Sequence, residues 1–153
     1  MVFVTVGTQK QSFKRIFSLV EHSTQLKFEE IVAQSGNTEF ESKKIKMMKF
    51  MDNTKFEELI LESDFVICHG GVGSIFSSLL KGKKVLAVPR LNKYGEHVDD
   101  HQIEICEELE NLGYIIYYRD EENFDECIKK MKETEFKKYK TNDNYLKILK
   151  KEI

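Results

Sequence analysis

The chain has 153 residues, enough for one domain with a sizeable core and too few for two ordinary ones. Its 24 Lys plus Arg against 26 Asp plus Glu leave a net charge of −2, which argues against nucleic-acid binding through bulk positive charge. The start MVFVTVGTQ has no basic leader, no run approaches the about 20 apolar residues of a spanning helix, and Cys68, Cys106 and Cys127 show no CxxC spacing; the expectation is a soluble cytoplasmic protein with reduced thiols.

Val2 to Val6 is rich in β-branched residues and predicts a strand, closed by Gly7-Thr8. After Gln9-Lys10-Gln11, Ser12 is the expected cap of a helix on which Phe13, Ile16, Phe17 and Val20 recur at i, i+3, i+4 and i+7. A second strand is expected from Phe28 to Ala33, ended by Ser35-Gly36-Asn37, and a third over 44–51. Asp52 or Asn53 caps a helix carrying Phe56, Leu59 and Ile60. The fourth strand, Phe65-Val66-Ile67-Cys68, runs into His69-Gly70-Gly71-Val72-Gly73-Ser74, and Ser74 opens a helix over 74–81 with Gly82 as its stop. Lys84 to Val88 is the fifth strand, closed by Pro89, and a polar loop, Arg90 to Val98, follows. Asp99 or Asp100 caps the next helix, with Ile103, Cys106, Leu109 and Leu112 inward and Gly113 as its end. Tyr114 to Tyr118 is the sixth strand, and Glu121-Glu122 opens a helix with Phe124, Cys127, Ile128 and Met131 inward. Residues 133–143 are a charged, loosely ordered tail, before a short amphipathic helix holding Tyr145, Ile148, Leu149 and Ile153.

Strands alternating with helices predict an α/β fold, a doubly wound parallel sheet with helices on both faces. Right-handed crossovers and the common order 3-2-1-4-5-6 put the first and fourth strands side by side at the switch point. The loops Gly7–Gln11, His69–Ser74 and Arg90–Gln102 then open on one crevice, at the carboxyl ends of the strands. In the second of these loops, glycines allow close approach to a ligand and the helix start presents unpaired N–H groups, a setting that suits phosphate. Neither GxxxxGK[ST] nor GxGxxG is present, which disfavours a P-loop NTPase or a NAD-type dehydrogenase. The third loop concentrates Arg90, Asn92, Lys93, Tyr94, Glu96, His97, Asp99, Asp100, His101 and Gln102. Such groups suit sugar hydroxyls; a metal held by His69, His97, His101 and Asp100 is the competing reading. Cys68 beside His69 is disfavoured as a nucleophile, because adjacent strand residues point to opposite faces.

The segments FVTVGTQKQSFKRI at 3–16, ICHGGVGSI at 67–75, GKKVLAVPR at 82–90 and YGEHVDDHQ at 94–102 carry a resemblance to the C-terminal, donor-binding domain of family 28 glycosyltransferases. The chain resembles the single-domain branch, which contains the small catalytic subunit of the eukaryotic dolichol-linked GlcNAc transferase and bacterial capsule and exopolysaccharide hexosyltransferase subunits. The resemblance implies a Rossmann-like half of a GT-B enzyme, with residues 1–132 as the UDP-sugar domain and 133–153 as a tail. It places the donor diphosphate and ribose on Gly70, Gly71, Val72, Gly73 and Ser74, with Gly7 and Thr8 against the same phosphates. Glu96, Asp100, His101 and Gln102 would face the donor sugar, and His69 and Arg90, which open two of the three loops, join the donor set. Ser77 stands where many relatives carry a ribose-binding glutamate, which leaves the ribose contact open.

The implied reaction is inverting transfer of a hexose from a UDP-sugar to a lipid-diphosphate-linked saccharide, with no obligatory metal and no other cofactor. Its general base is Glu96 or His97, or else comes from a partner. Because the family cleft lies between two halves, a membrane-anchored acceptor-side subunit is expected as partner in a heterodimer or larger assembly, holding this chain at the cytoplasmic membrane face. The helix 145–153 either contacts that partner or packs on its own domain. A non-catalytic nucleotide-sugar-binding subunit and a free-standing epimerase or hydrolase are the other classes.

Overall fold

The computed structural model describes residues 1–140, and the expected helix over 145–153 lies outside them. Six parallel strands form one sheet: β1 (Val2–Thr5), β2 (Ile31–Gln34), β3 (Ile45–Met48), β4 (Phe65–His69), β5 (Lys84–Val88) and β6 (Ile116–Tyr117), in the order β3-β2-β1-β4-β5-β6. This is the anticipated doubly wound order. Val4 pairs with Ala33 on one side and Ile67 on the other, so β1 is the central strand, and all four of its residues are buried.

The sheet separates two apolar cores. On one face α1 (Lys14–His22) and α5 (Phe124–Glu133) cover Val2, Val4, Ile67 and Leu86 with Phe17, Val20, Cys127, Ile128 and Met131. On the other, α2 (Asn53–Glu62), α3 (Val72–Leu80) and α4 (His101–Asn111) cover Phe3, Val66 and Val85 with Ile60, Ile75, Phe76, Ile105 and Leu109. Alternate residues of each strand thus feed opposite cores. Cys68, Cys106 and Cys127 are buried free thiols, and burial pushes the Cys68 thiol well above its ordinary range, which removes it as a nucleophile.

Several expected boundaries are corrected. Ser12 is not the cap of α1: Phe13 holds that position, without a side-chain cap, and its N–H donates to Thr38 Oγ1 at 2.9 Å. Phe28 lies outside β2 and is exposed. The third strand ends at Met48 rather than 51, and Asp52 caps α2 by accepting from the Lys55 N–H at 2.8 Å. Helix α3 begins at Val72, with Gly71 as its cap residue, so Gly73 and Ser74 lie inside its first turn. Asn123, not the Glu121-Glu122 pair, caps α5 by accepting from the Glu126 N–H at 3.1 Å.

The segment after α5 is less loose than its charge implied. The Lys137 N–H donates to the Gly113 carbonyl at 3.0 Å, and Tyr139 is buried against Phe76 and Tyr114, with ring centroids 4.9 and 5.2 Å away. No described helix is long and apolar enough to cross a membrane. Tyr139→Ala is expected to lower the unfolding free energy by about 3 kcal/mol, because it empties a ring-sized site. Urea denaturation measures this, and an unchanged midpoint would show the segment to be peripheral.

Candidate functional site

The carboxyl ends of β1 to β4 border a cleft of about 550 Å³. Gly7, Thr8, His69, Gly71, Val72, Gly73, Ser74 and Gln102 line it, so two of the three expected loops and one residue of the third converge there. The centre of this convergence is His69, 7% exposed, whose imidazole is pressed between the first and second loops. A Cβ at Gly7 would sit 2.6 Å from His69 Nε2, and one at Gly71 would sit 2.1 Å from Cε1. Gly7 also holds φ +74°, so glycine is required there twice over. Gly73 differs, because a Cβ there would meet nothing within 4 Å.

Burial first, then the positive field of Arg90 and the nearby His97, pushes the His69 pKa down to about 3. The ring is therefore neutral at physiological pH and adds no charge to the cleft. Positive potential comes instead from the start of α3, where the N–H groups of Val72, Gly73 and Ser74 fall in the first turn and have no helical partner.

The third loop behaves differently from its composition. Arg90 is 1% exposed, and its guanidinium donates to three backbone carbonyls: Val6 at 2.7 Å, Gln11 at 2.8 Å and Glu96 at 2.9 Å. Burial lowers its pKa to about 10, partly offset by Glu96, so it remains a cation. It holds loops together and does not line the cleft. Glu96 is similarly committed: its carboxylate accepts from Arg15 Nε at 3.1 Å and Nη2 at 2.9 Å, and from the Leu91 N–H at 3.0 Å. The buried Glu96 carboxylate, expected as a catalytic or sugar-facing group, is thus bonded to Arg15 and its own loop and is not among the residues that line the cleft.

Asp100 and His101 also leave the expected site. Asp100 accepts from the Asn92 N–H at 2.9 Å and borders a separate cavity of about 280 Å³ with Arg15, Lys93 and Asp120. His101 pairs with Glu104 at 3.3 Å. With His69 also committed to neighbours, the metal cluster of His69, His97, His101 and Asp100 is not assembled, and among the described residues no three His, Cys, Asp or Glu side chains could together hold a metal ion.

His97 stands at the rim. Its Nδ1 is 3.1 Å from Asp99 Oδ1, and its Nε2 is 3.0 Å from the amide nitrogen of Gln9, a residue that lines the cleft. The Asp99 N–H donates to Nδ1 at 3.2 Å, so in the neutral ring Nδ1 accepts and the proton sits on Nε2, facing Gln9.

The sequence reading missed the wall formed by Gln34, Phe50, Met51, Asn53, Phe56 and Glu57. Extending the third strand to 51 hid it; ending that strand at Met48 puts 49–53 at the same carboxyl end of the sheet as the glycine loop. Gln34 ties this wall to the first loop, its Nε2 donating to the carbonyls of Gly7 at 3.1 Å and Lys49 at 3.0 Å. Ser77 also lines this part of the cleft.

The family model of the glycosyltransferase family 28 C-terminal domain matches residues 1–152. Among curated proteins, the chain is 30% identical over 129 residues to the UDP-N-acetylglucosamine transferase subunit ALG13 of Homo sapiens, covering 76% of this chain and 11% of that protein. It is 34% identical over 73 residues to the Saccharomyces cerevisiae subunit of the same name, covering 47% of this chain and 34% of that one. The chain thus spans a minor part of these relatives. Among solved structures, the glycosyltransferase of kitacinnamycin superposes with a TM-score of 0.58 at 12% identity, covering 86% of this chain and 34% of that one. The glycosyltransferase SnogD from Streptomyces nogalater gives 0.54 at 17%, covering 86% of this chain and 39% of that one. At such identities the likeness is one of fold.

Removing Glu96 takes two charge-assisted bonds from Arg15 and the acceptor from the buried Leu91 N–H, so Glu96→Ala is expected to cost about 3 kcal/mol of stability. Thermal unfolding measures this, and a catalytic carboxylate would instead leave stability unchanged or improved when removed.

Proposed function

Because the chain belongs to the glycosyltransferase family 28 C-terminal domain family, we propose that it is the donor-binding, catalytic subunit of a two-component transferase. It moves a hexose from a UDP-sugar to a hydroxyl of a lipid-diphosphate-linked saccharide, with a membrane-anchored subunit supplying the acceptor side. The observation that carries this reading is the first turn of α3 at the cleft: three N–H groups with no partner in the helix, an open surface at Gly73, and an uncharged His69 behind them. A diphosphate placed there has its charge met by the helix dipole and by oriented donors, and the departing UDP is stabilised by the same groups without a metal being required.

Inverting transfer needs a base on the acceptor hydroxyl. His97 is the group of this chain placed for that role: in the base form its Nδ1–H turns to the Asp99 carboxylate, 3.1 Å away, in place of the Asp99 N–H it accepts from at rest, which frees Nε2 for a hydroxyl that replaces Gln9. Ser77, without a carboxylate to offer a ribose, favours the bacterial capsular or exopolysaccharide branch, whereas the names of the curated relatives favour N-acetylglucosamine as the transferred sugar. The donor is galactose, glucose or N-acetylglucosamine, and competition between the three UDP-sugars for the cleft decides it.

Calorimetric titration with UDP, with ADP as control and EDTA present, tests the site. Selective binding of UDP is expected, and Gly73→Ala is expected to weaken it about tenfold while the helix gains up to about 1 kcal/mol from the alanine. If UDP fails to bind both the chain alone and the chain co-expressed with its membrane subunit, the reading is wrong. In that assembled complex, His97→Gln is expected to lower turnover by about 10²–10⁴-fold with UDP affinity unchanged. An unchanged rate would move the base to the partner.

A further inference from the structure

The polar groups behind the glycine loop form a chain whose polarity is set by two backbone amides. The Gly70 N–H and the Arg90 N–H each donate to Gln102 Oε1, both at 3.0 Å. A backbone N–H has no acceptor capacity, so the atom they share is the carboxamide oxygen and the opposite end of Gln102 is the –NH2. That –NH2 lies 3.2 Å from His69 Nδ1. An –NH2 only donates, so Nδ1 accepts, and a neutral imidazole with an accepting Nδ1 carries its proton on Nε2. Nε2 in turn lies 3.3 Å from Ser74 Oγ, on the first turn of α3.

We propose that Gln102 is a positioning residue that locks His69 in its Nε2–H tautomer, so that the Ser74 hydroxyl accepts from the ring and keeps its own proton to donate to a phosphate oxygen in the cleft. This rests on the donor-site reading for the identity of the anion, although the tautomer itself does not depend on it. A serine hydroxyl ordinarily donates or accepts as its surroundings dictate. Here Nε2–H takes one lone pair and cannot accept the hydroxyl proton, and Ser74 Oγ makes no other hydrogen bond among the described residues. The opposite arrangement fails at each link. Rotating the carboxamide strands two buried backbone N–H groups against an –NH2, and moving the ring proton to Nδ1 sets two donors face to face. Turning the ring over would put a carbon opposite the Gln102 –NH2 and leave that donor without its acceptor. The consequence for Gln102 is a change of role: it acts on the anion through His69 and Ser74, with both ends of its carboxamide already engaged.

The expected tautomer is read directly by long-range nitrogen–proton correlation NMR of the histidines in the intact protein. His69 should show the Nε2–H pattern across the neutral pH range with or without UDP. The Nδ1–H pattern, or an imidazolium in the unmodified protein, would overturn the proposal whatever UDP does. Gln102→Glu keeps an acceptor oxygen for the two backbone amides and puts a carboxylate oxygen opposite Nδ1. The ring is then expected to hold protons on both nitrogens, against the opposing fields of Arg90 and His97. A ring still neutral in that variant would show that Gln102 does not set it. Ser74→Ala is expected to weaken UDP binding about tenfold with the tautomer retained. Retained affinity in Ser74→Ala removes the hydroxyl from the relay, whereas absence of UDP binding in the unmodified protein, with the Nε2–H tautomer present, would defeat the donor-site reading and the anion part of the proposal with it.

Discussion

The mouth of the cleft depends on one buried cation. Arg90 sits at the end of β5 and donates to carbonyls of the first loop, at Val6 and Gln11, and of its own loop, at Glu96. A desolvated guanidinium survives only where its donors are met. Three carbonyls, the nearby Glu96 carboxylate and the face of Phe13, 5.0 Å from the charge, meet them, though Nε has no partner among the described residues. Glu96 is in turn gripped by Arg15 from α1. The result is a closed circuit linking α1, the first loop and the loop after β5, which holds its geometry before any ligand arrives. Preorganisation of that kind lowers the cost of ordering a site on binding.

The architecture was legible because it rests on patterns the chain repeats. Apolar runs alternating with amphipathic segments, together with the handedness of crossovers, lead to the order 3-2-1-4-5-6, and the structure has that order. The glycine loop was legible for a different reason: three glycines at a strand end serve few purposes. Errors collected where apolar residues lie outside regular structure. Phe50 and Met51 extend the apolar character of β3 past its last ladder residue, and Phe28 resembles the start of β2 while standing in solvent.

The polar loop taught the harder lesson. Glu96, Asp100, His101 and Gln102 are the residue types that recognise sugars, and they are also the types that fasten loops. Composition carries no information on which of the two they do. The decision depends on partners far away in sequence: Arg15, 81 positions from Glu96, lies on the polar side of a helix that looks solvent-facing in one dimension. Likewise the helix start moved by only two residues, from Ser74 to Val72, yet that shift carries Val72 and Gly73 into the first turn and turns the Ser74 side chain inward.

The packing around His69 also makes positions far apart in the chain interdependent. Gly71 has an ordinary backbone, φ −80°, so the barrier to a side chain there is the imidazole, whose atoms are the nearest that a Cβ would meet. Gly7, at φ +74°, would resist substitution even beside a smaller neighbour. Among homologous sequences, residue 71 is therefore free to acquire a methyl group only in company with a reduced side chain at 69, while residue 7 stays glycine in both backgrounds. The constraint on the loop is one of shared space, and the order in which substitutions arrive decides which of them are tolerated.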